Sequence, residues 1–177
     1  MLYLFLAEGF EEIEALSTLD VLRRAQIPVK IVGVGGKIIS GAHKLKVMTD
    51  EHDVSSDFSH LEGVILPGGM PGTTNLEGSE IVRSAVDFCA SKLLLIAAIC
   101  AAPSIIAHMG LLKGKKATCY PGFEGELSGA QVLSLSVCRD DNIITGRGPG
   151  SAIDFALEIV KYLKGDEEAK KIQQQIV

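Results

Sequence analysis

The chain has no tryptophan, and aromatic residues make up only 5% of it. That is too little to build the stacking platforms on which proteins hold unpaired bases. It also lacks a surplus of basic charge: 17 lysines and arginines stand against 22 acids, a net charge of −5. A nucleic-acid binder carries a basic face, so specific nucleic-acid binding is not expected. No apolar run reaches the ~20 residues needed to span a bilayer. The opening stretch Met1-Leu2-Tyr3-Leu4-Phe5-Leu6-Ala7 meets Glu8 at once, and it has neither the basic start nor the length of a signal peptide. It reads as a buried strand, and a soluble cytoplasmic protein with no membrane partner is expected. Four cysteines (Cys89, Cys100, Cys119 and Cys138) lie far apart, with no C-x-x-C pair and no Cys/His ligand spacing. Disulfides are therefore not expected, and a metal site has no framework.

What is present is the composition of a packed globule, 47% hydrophobic and 22% charged over 177 residues. No repeat, linker or low-complexity tract divides it, so one domain over residues 1–177 is expected. Short apolar runs at 1–7, Val29–Val34, Val64–Leu66, Leu93–Ile99 and Ala117–Tyr120 read as core strands. Amphipathic segments read as helices at Glu11–Ala25, Ile81–Lys92, Ala102–Met109, Ala152–Leu163 (capped by Ser151) and about 167–176. Lys37 to Asp53 alternates enough to suggest a hairpin or irregular β excursion, and 132–137 with 143–145 reads as a second hairpin. Strands alternating with helices give an α/β fold, a doubly wound and mostly parallel sheet with helices on both faces. Such sheets place their sites outside the carboxyl ends of the strands. Three unusual stretches fall there: Glu8 to Glu14, Pro67 to Gly72, and Cys100.

Cys100 follows a buried strand and stands where small residues and Pro103 open a helix, the kind of turn that forms a nucleophile elbow. Unpaired N–H groups and the dipole at a helix start lower a thiol pKa from about 8.5. Cys100 is thus the candidate reactive thiol, whereas Cys89, Cys119 and Cys138 read as small core hydrophobes. In the first helix Glu14 can face inward while Glu12 faces out; Glu8, Glu11 and Glu12 read as solvated acids.

Four motifs occur together and in order: Glu-Gly-Phe-Glu-Glu-Ile-Glu at 8–14, Leu-Pro-Gly-Gly-Met-Pro-Gly at 66–72, Ala-Ala-Ile-Cys-Ala-Ala-Pro at 97–103 and Gly-Arg-Gly-Pro-Gly at 146–150. As a set they closely resemble the ThiJ/PfpI superfamily, in its branch of the parkinsonism-associated deglycase (DJ-one-like). The resemblance covers essentially the whole chain. It implies a flavodoxin-like, class I glutamine amidotransferase-like layout, with Cys100 as nucleophile and Glu14 as the carboxylic acid beside it. Two like charges side by side do not both ionise, and the resemblance implies that Glu14 keeps the proton, donates to the thiolate and serves as general acid and base. Gly68, Gly69 and the N–H of Ala101 are then the natural oxyanion and substrate-binding donors.

The implied activity is that of a cofactor-free glyoxalase or deglycase acting on methylglyoxal, glyoxal or their early adducts, with a stress-protective role and a homodimeric state. The first helix and the Gly41–Lys46 excursion would lie near the dimer interface. An oxidation sensor with holdase activity is the alternative implied by an accessible, easily oxidised thiol. Roles in thiamine-thiazole metabolism or as a peptidase follow from family naming alone. One departure stands out: where many relatives carry a histidine before the proline of the 117–121 segment, this chain has Tyr120-Pro121. His43, His52, His60 and His108 match no catalytic position, so a Cys-His dyad is unsupported. Tyr120 can offer a hydroxyl near the thiol or simply pack.

Overall fold

The computed structural model describes residues 1–52, 54 and 57–177; the far end of the expected Lys37–Asp53 excursion, Asp53, lies outside the described residues. The chain begins with β1 (Leu2–Ala7), α1 (Glu12–Arg24) and β2 (Val29–Val34), and then forms the small hairpin β3 (Ile38–Ser40) and β4 (Lys46–Met48). Next come β5 (Gly63–Leu66), α2 (Gly72–Glu77), α3 (Glu80–Lys92), β6 (Leu95–Ile99) and α4 (Pro103–His108). The last third holds β7 (Lys116–Ala117), β8 (Gln131–Val132), β9 (Val137–Asp140), β10 (Ile143–Gly146), α5 (Ala152–Lys164) and α6 (Asp166–Gln175).

Six strands form one sheet in the order β2-β1-β5-β6-β10-β9. All neighbours are parallel except β9, which closes the edge as the antiparallel arm of a hairpin with β10. Side chains alternate across a strand, and the sequence makes both directions apolar. Leu2, Leu4 and Leu6 of β1, with Ile65, Ala97, Ile99 and Ile144, pack on one side against Leu19 and Leu22 of α1, Phe155 and Ile159 of α5 and Ile172 of α6. Phe5, Val64, Leu66, Ile96 and Ala98 pack on the other side against Leu76 of α2, Val82 and Val86 of α3 and Ile105 of α4. Each such Leu, Ile or Phe contributes roughly 1.5–3 kcal/mol by leaving water. In α1 the buried Ala15, Leu19 and Leu22 recur at helical spacing, with Glu12 and Glu14 in the first turn and Arg23 and Arg24 in the last, as the dipole favours.

From β1 the chain runs outward to β2 and then crosses back to β5 on the far side of β1. That reversal opens a crevice at the carboxyl ends of β1 and β5, where the 8–14 and 67–72 segments meet.

Three expectations are corrected. Ala117–Tyr120 is not a core strand: only Lys116–Ala117 is extended, paired with β8 in a separate two-stranded sheet. Thr118 donates its N–H to the Thr145 hydroxyl and Tyr120 donates its N–H to the Cys100 carbonyl, so the segment runs past the sheet's end. The expected hairpin arm 132–137 is displaced: the strand that pairs with β10 is β9 (Val137–Asp140), and Gln131–Val132 pairs with β7 instead. Ser151 precedes α5, but its hydroxyl turns back to donate to the Gly148 carbonyl at 2.9 Å and leaves the helix uncapped.

Candidate active site

The site forms where three loops lock together at the carboxyl edge. The Glu11 N–H donates to the Gly68 carbonyl at 2.9 Å and the Thr73 N–H to the Gly69 carbonyl at 2.8 Å. Gly69 has φ +91, and a Cβ there would stand 2.4 Å from the Glu11 backbone nitrogen. Only glycine meets both demands. This close approach fixes the 67–72 loop against the start of α1, one turn before Glu14.

Glu14 projects inward from α1 and is 1% exposed. Its Oε2 accepts the Gly68 N–H at 2.7 Å, while its Oε1 is buried with no partner among the nitrogen and oxygen atoms around it. Burial pushes the carboxyl pKa up to about 7, against the lowering effect of the Gly68 N–H and of the facing Cys100 thiol; the charge of Glu11 adds to the rise. A Cβ on Gly68 would lie 2.6 Å from the Cys100 Cβ and 2.9 Å from Glu14 Oε2, so carboxyl and thiol share the space that this glycine leaves open.

Cys100 sits at the end of β6 with φ +67, in the left-handed region that non-glycine residues rarely enter. Its N–H donates to the Gly146 carbonyl at 2.9 Å, which carries the β6–β10 ladder one residue past the strand. Cys100 is partly exposed, whereas Cys89, Cys119 and Cys138 are buried. Burial pushes those three thiols up, in keeping with inert core cysteines.

The expected low thiol pKa is not what the surroundings of Cys100 produce. Burial raises it to about 12, the Glu14 charge and hydrogen bond add to the rise, and the N–H groups of Ala101 and Gly69 act against it. The helix that follows is short: α4 has only six residues and begins at Pro103, three positions after Cys100. The Glu14 carboxyl therefore ionises near pH 7, while the Cys100 thiol holds its proton far above that.

The other expected residues fall as follows. The Gly68 N–H is committed to Glu14 and so is no oxyanion donor, which leaves Gly69 and Ala101 facing the sulfur. Tyr120 reaches the site through its backbone; its ring is 45% exposed and its hydroxyl makes no hydrogen bond to the thiol. Glu12 does not face out. It is buried, accepting the His43 N–H at 2.7 Å on Oε1, with Oε2 2.8 Å from His43 Nδ1. Burial pushes the Glu12 carboxyl up, but the bonds from His43 outweigh that and hold it low, while Glu12 and then Glu11 raise the imidazole. Sequence reasoning missed this clasp because its partner comes from a loop 31 residues away. Glu11, Glu12 and His43 are the one group of potential metal-ligating side chains among the described residues. Two of its donors are already engaged with each other.

No helix among the described residues is long and apolar enough to cross a membrane. The model of the DJ-1/PfpI family matches residues 1–162. Protein dj-1beta of Drosophila melanogaster is 36% identical over 170 residues, covering 94% of this chain and 91% of the fly protein. The glutathione-independent glyoxalase DJR-1.2 of Caenorhabditis elegans is 30% identical over 167 residues, covering 93% and 89%. The crystal structure of Drosophila melanogaster DJ-1beta superposes with a TM-score of 0.90 at 34% identity, covering 99% of this chain and 96% of that one. With a family model matching residues 1–162 and relatives alike over nearly the whole chain, the chain belongs to the DJ-1/PfpI family.

Proposed function

We propose that residues 1–177 form one domain acting as a cysteine-dependent glyoxalase or deglycase that needs no cofactor, on methylglyoxal, glyoxal or their early adducts. The observation that carries this reading is the buried Glu14 carboxyl hydrogen-bonded to the Cys100 thiol, the carboxyl's pKa raised to about 7 by burial. Two N–H groups, from Gly69 and Ala101, favour the sulfur anion, and one, from Gly68, favours the carboxylate. Oε1 of Glu14 has no other partner, so a proton on it has the sulfur as its acceptor. This reading takes thiolate beside carboxylic acid as the reactive form, the minor tautomer of a pair whose carboxyl ionises near 7 and whose thiol ionises near 12.

The thiolate adds to the aldehyde carbon of methylglyoxal, and the carbonyl oxygen takes a proton to give a hemithioacetal. Glu14, now a carboxylate, removes the hydrogen from that carbon and returns a proton to the neighbouring ketone carbon through an enediol. The aldehyde carbon is thereby oxidised to a thioester as the ketone is reduced to an alcohol, with no external oxidant. Water then cleaves the thioester to lactate and frees the thiol. Gly69 and Ala101 supply the N–H groups for the developing oxyanion, each donor of this kind contributing on the order of 10²–10³ in rate. Cys100→Ser and Glu14→Gln should each abolish lactate formation from methylglyoxal; full activity in either overturns the assignment.

A second reading, an oxidation sensor with holdase activity, is favoured by Cys100 being the single partly exposed cysteine. A protonated Glu14 would also donate to a sulfinate. Addition of two oxygens at Cys100 after mild peroxide, in a protein without aldehyde turnover, would establish it. We also propose a cytoplasmic homodimer. Exposed Ile13 on α1 and Leu45 and Met48 on the hairpin offer apolar surface for a second copy, which analytical ultracentrifugation tests.

A further inference from the structure

The Gly146–Gly150 motif takes no part in the chemistry above, yet it forms one wall of a cavity of about 300 Å³. Tyr120 and Pro121 line the same cavity, together with Ser136 and Ser151. A Cβ on Gly148 would stand 3.0 Å from the Tyr120 ring, so ring and motif meet directly and no side chain fits between them. The cavity is fastened to the Cys100 turn on two sides. The Cys100 N–H bonds the carbonyl just before Arg147, and the Cys100 carbonyl accepts the Tyr120 N–H at 2.8 Å.

Of the residues lining this cavity, Arg147 alone carries a charge. Arg147 is half-buried, and among the described residues its guanidinium makes no ion pair or hydrogen bond. Arg83 likewise has no such partner among the described residues, whereas Arg23, Arg24 and Arg139 are each ion-paired. A guanidinium has five N–H donors and no acceptor, in a fork that matches a carboxylate or phosphate. The Ser136 hydroxyl is exposed beside it, and the rings of Tyr120, Pro121 and Pro149 supply an apolar surface. The backbone N–H groups of Glu124 itself and of Gly122 hold the Glu124 carboxyl low, and the charge of nearby Arg147 adds to that. That nearby negative charge disfavours a dianionic phosphate more than a monoanionic carboxylate.

We propose that this cavity binds the carboxylate of the substrate, with Arg147 as its anchor. Building on the aldehyde chemistry proposed above, the preferred substrates are then dicarbonyl adducts of small acids, such as amino acids or thiol acids, rather than free dicarbonyls. The adduct's carbonyl carbon meets Cys100 while its carboxylate lies on Arg147.

Isothermal calorimetry on Cys100→Ala, which cannot turn over, compares two probes: S-lactoyl-N-acetylcysteine and its neutral amide. The carboxylate should bind about tenfold or more tightly than the amide, as a charge-assisted hydrogen bond provides. Arg147→Gln in that background should erase the difference, and Arg147→Lys should restore part of it. In the active protein, the methylglyoxal adduct of N-acetylcysteine should show a similar advantage over that of the amide in kcat/KM, lost in Arg147→Gln. Equal binding of the two probes, or a preference that survives Arg147→Gln, overturns the proposal. Inorganic phosphate displacing the probe better than acetate would also overturn the carboxylate assignment. An active protein that turns over neither adducts nor free methylglyoxal refutes the aldehyde chemistry, while the calorimetric comparison still decides the cavity.

Discussion

Replacing Glu14 by glutamine keeps the side chain's shape and an acceptor for the Gly68 N–H, and removes the proton site facing Cys100. In the native protein the Glu14 carboxyl ionises near pH 7, and the proposed chemistry uses the form of the singly charged pair in which the thiol has passed its proton to that carboxylate. In Glu14→Gln the thiol titrates alone. Burial, the largest influence on it, still holds it above its ordinary 9.0. At pH 7 the thiolate share of the variant is then below about one in a hundred. Alkylation of Cys100 by iodoacetamide, followed by mass spectrometry across pH, reads this directly. The native protein should show an inflection near 7, and the variant a single one above 9.0. An unchanged melting temperature at pH 7 confirms that the variant folds. Faster alkylation of the variant at pH 7 would refute the reasoning, because it would mean that Glu14 acts on the thiol only as a repelling charge.

Stability should move the other way in the same variant. The Glu14 pKa rises from 4.5 to about 7 on folding, so its contribution is fully present below pH 4.5 and is lost as pH climbs through 7, about 3 kcal/mol in all. Denaturant melts should show Glu14→Gln gaining on the native protein over that window and level above it; a constant difference at all pH values contradicts the buried acid. Gly68→Ala places a methyl group 2.6 Å from Cys100 Cβ, and should abolish turnover while costing about 1–3 kcal/mol; a fully active, equally stable variant would show the pair less crowded than described. His43 should titrate above the ordinary 6.5 because of Glu12, and NMR of Glu12→Gln should bring it back toward that value.

The fold was legible because strands buried on both faces are written as unbroken apolar runs, and Val29–Val34, Leu93–Ile99 and their neighbours carry that signature. The Ala117–Tyr120 run misled for the same reason: three of its side chains are buried, but its N–H groups go to a threonine hydroxyl and the Cys100 carbonyl instead of a neighbouring strand. Cys100 and Glu14 were legible as a local turn and a helix face, helped by four motifs in register. Their titration was not. The pKa of Cys100 depends on how deeply the sulfur is buried and on a carboxyl 86 positions earlier in the chain, neither of which a sequence window contains. The Glu12–His43 clasp and the loss of the Gly68 N–H to Glu14 were hidden likewise, being made by loops that meet only in space.

The left-handed backbone at Cys100 has an evolutionary consequence. Holding a residue with a Cβ at φ +67 costs on the order of 1–2 kcal/mol, a burden that glycine would not carry. Selection for thermal tolerance alone therefore pulls position 100 toward glycine, and under the proposed function selection for the thiol opposes that pull. In a mutant library the two pressures separate: heat challenge should enrich glycine there, and survival of dicarbonyl exposure should keep the cysteine.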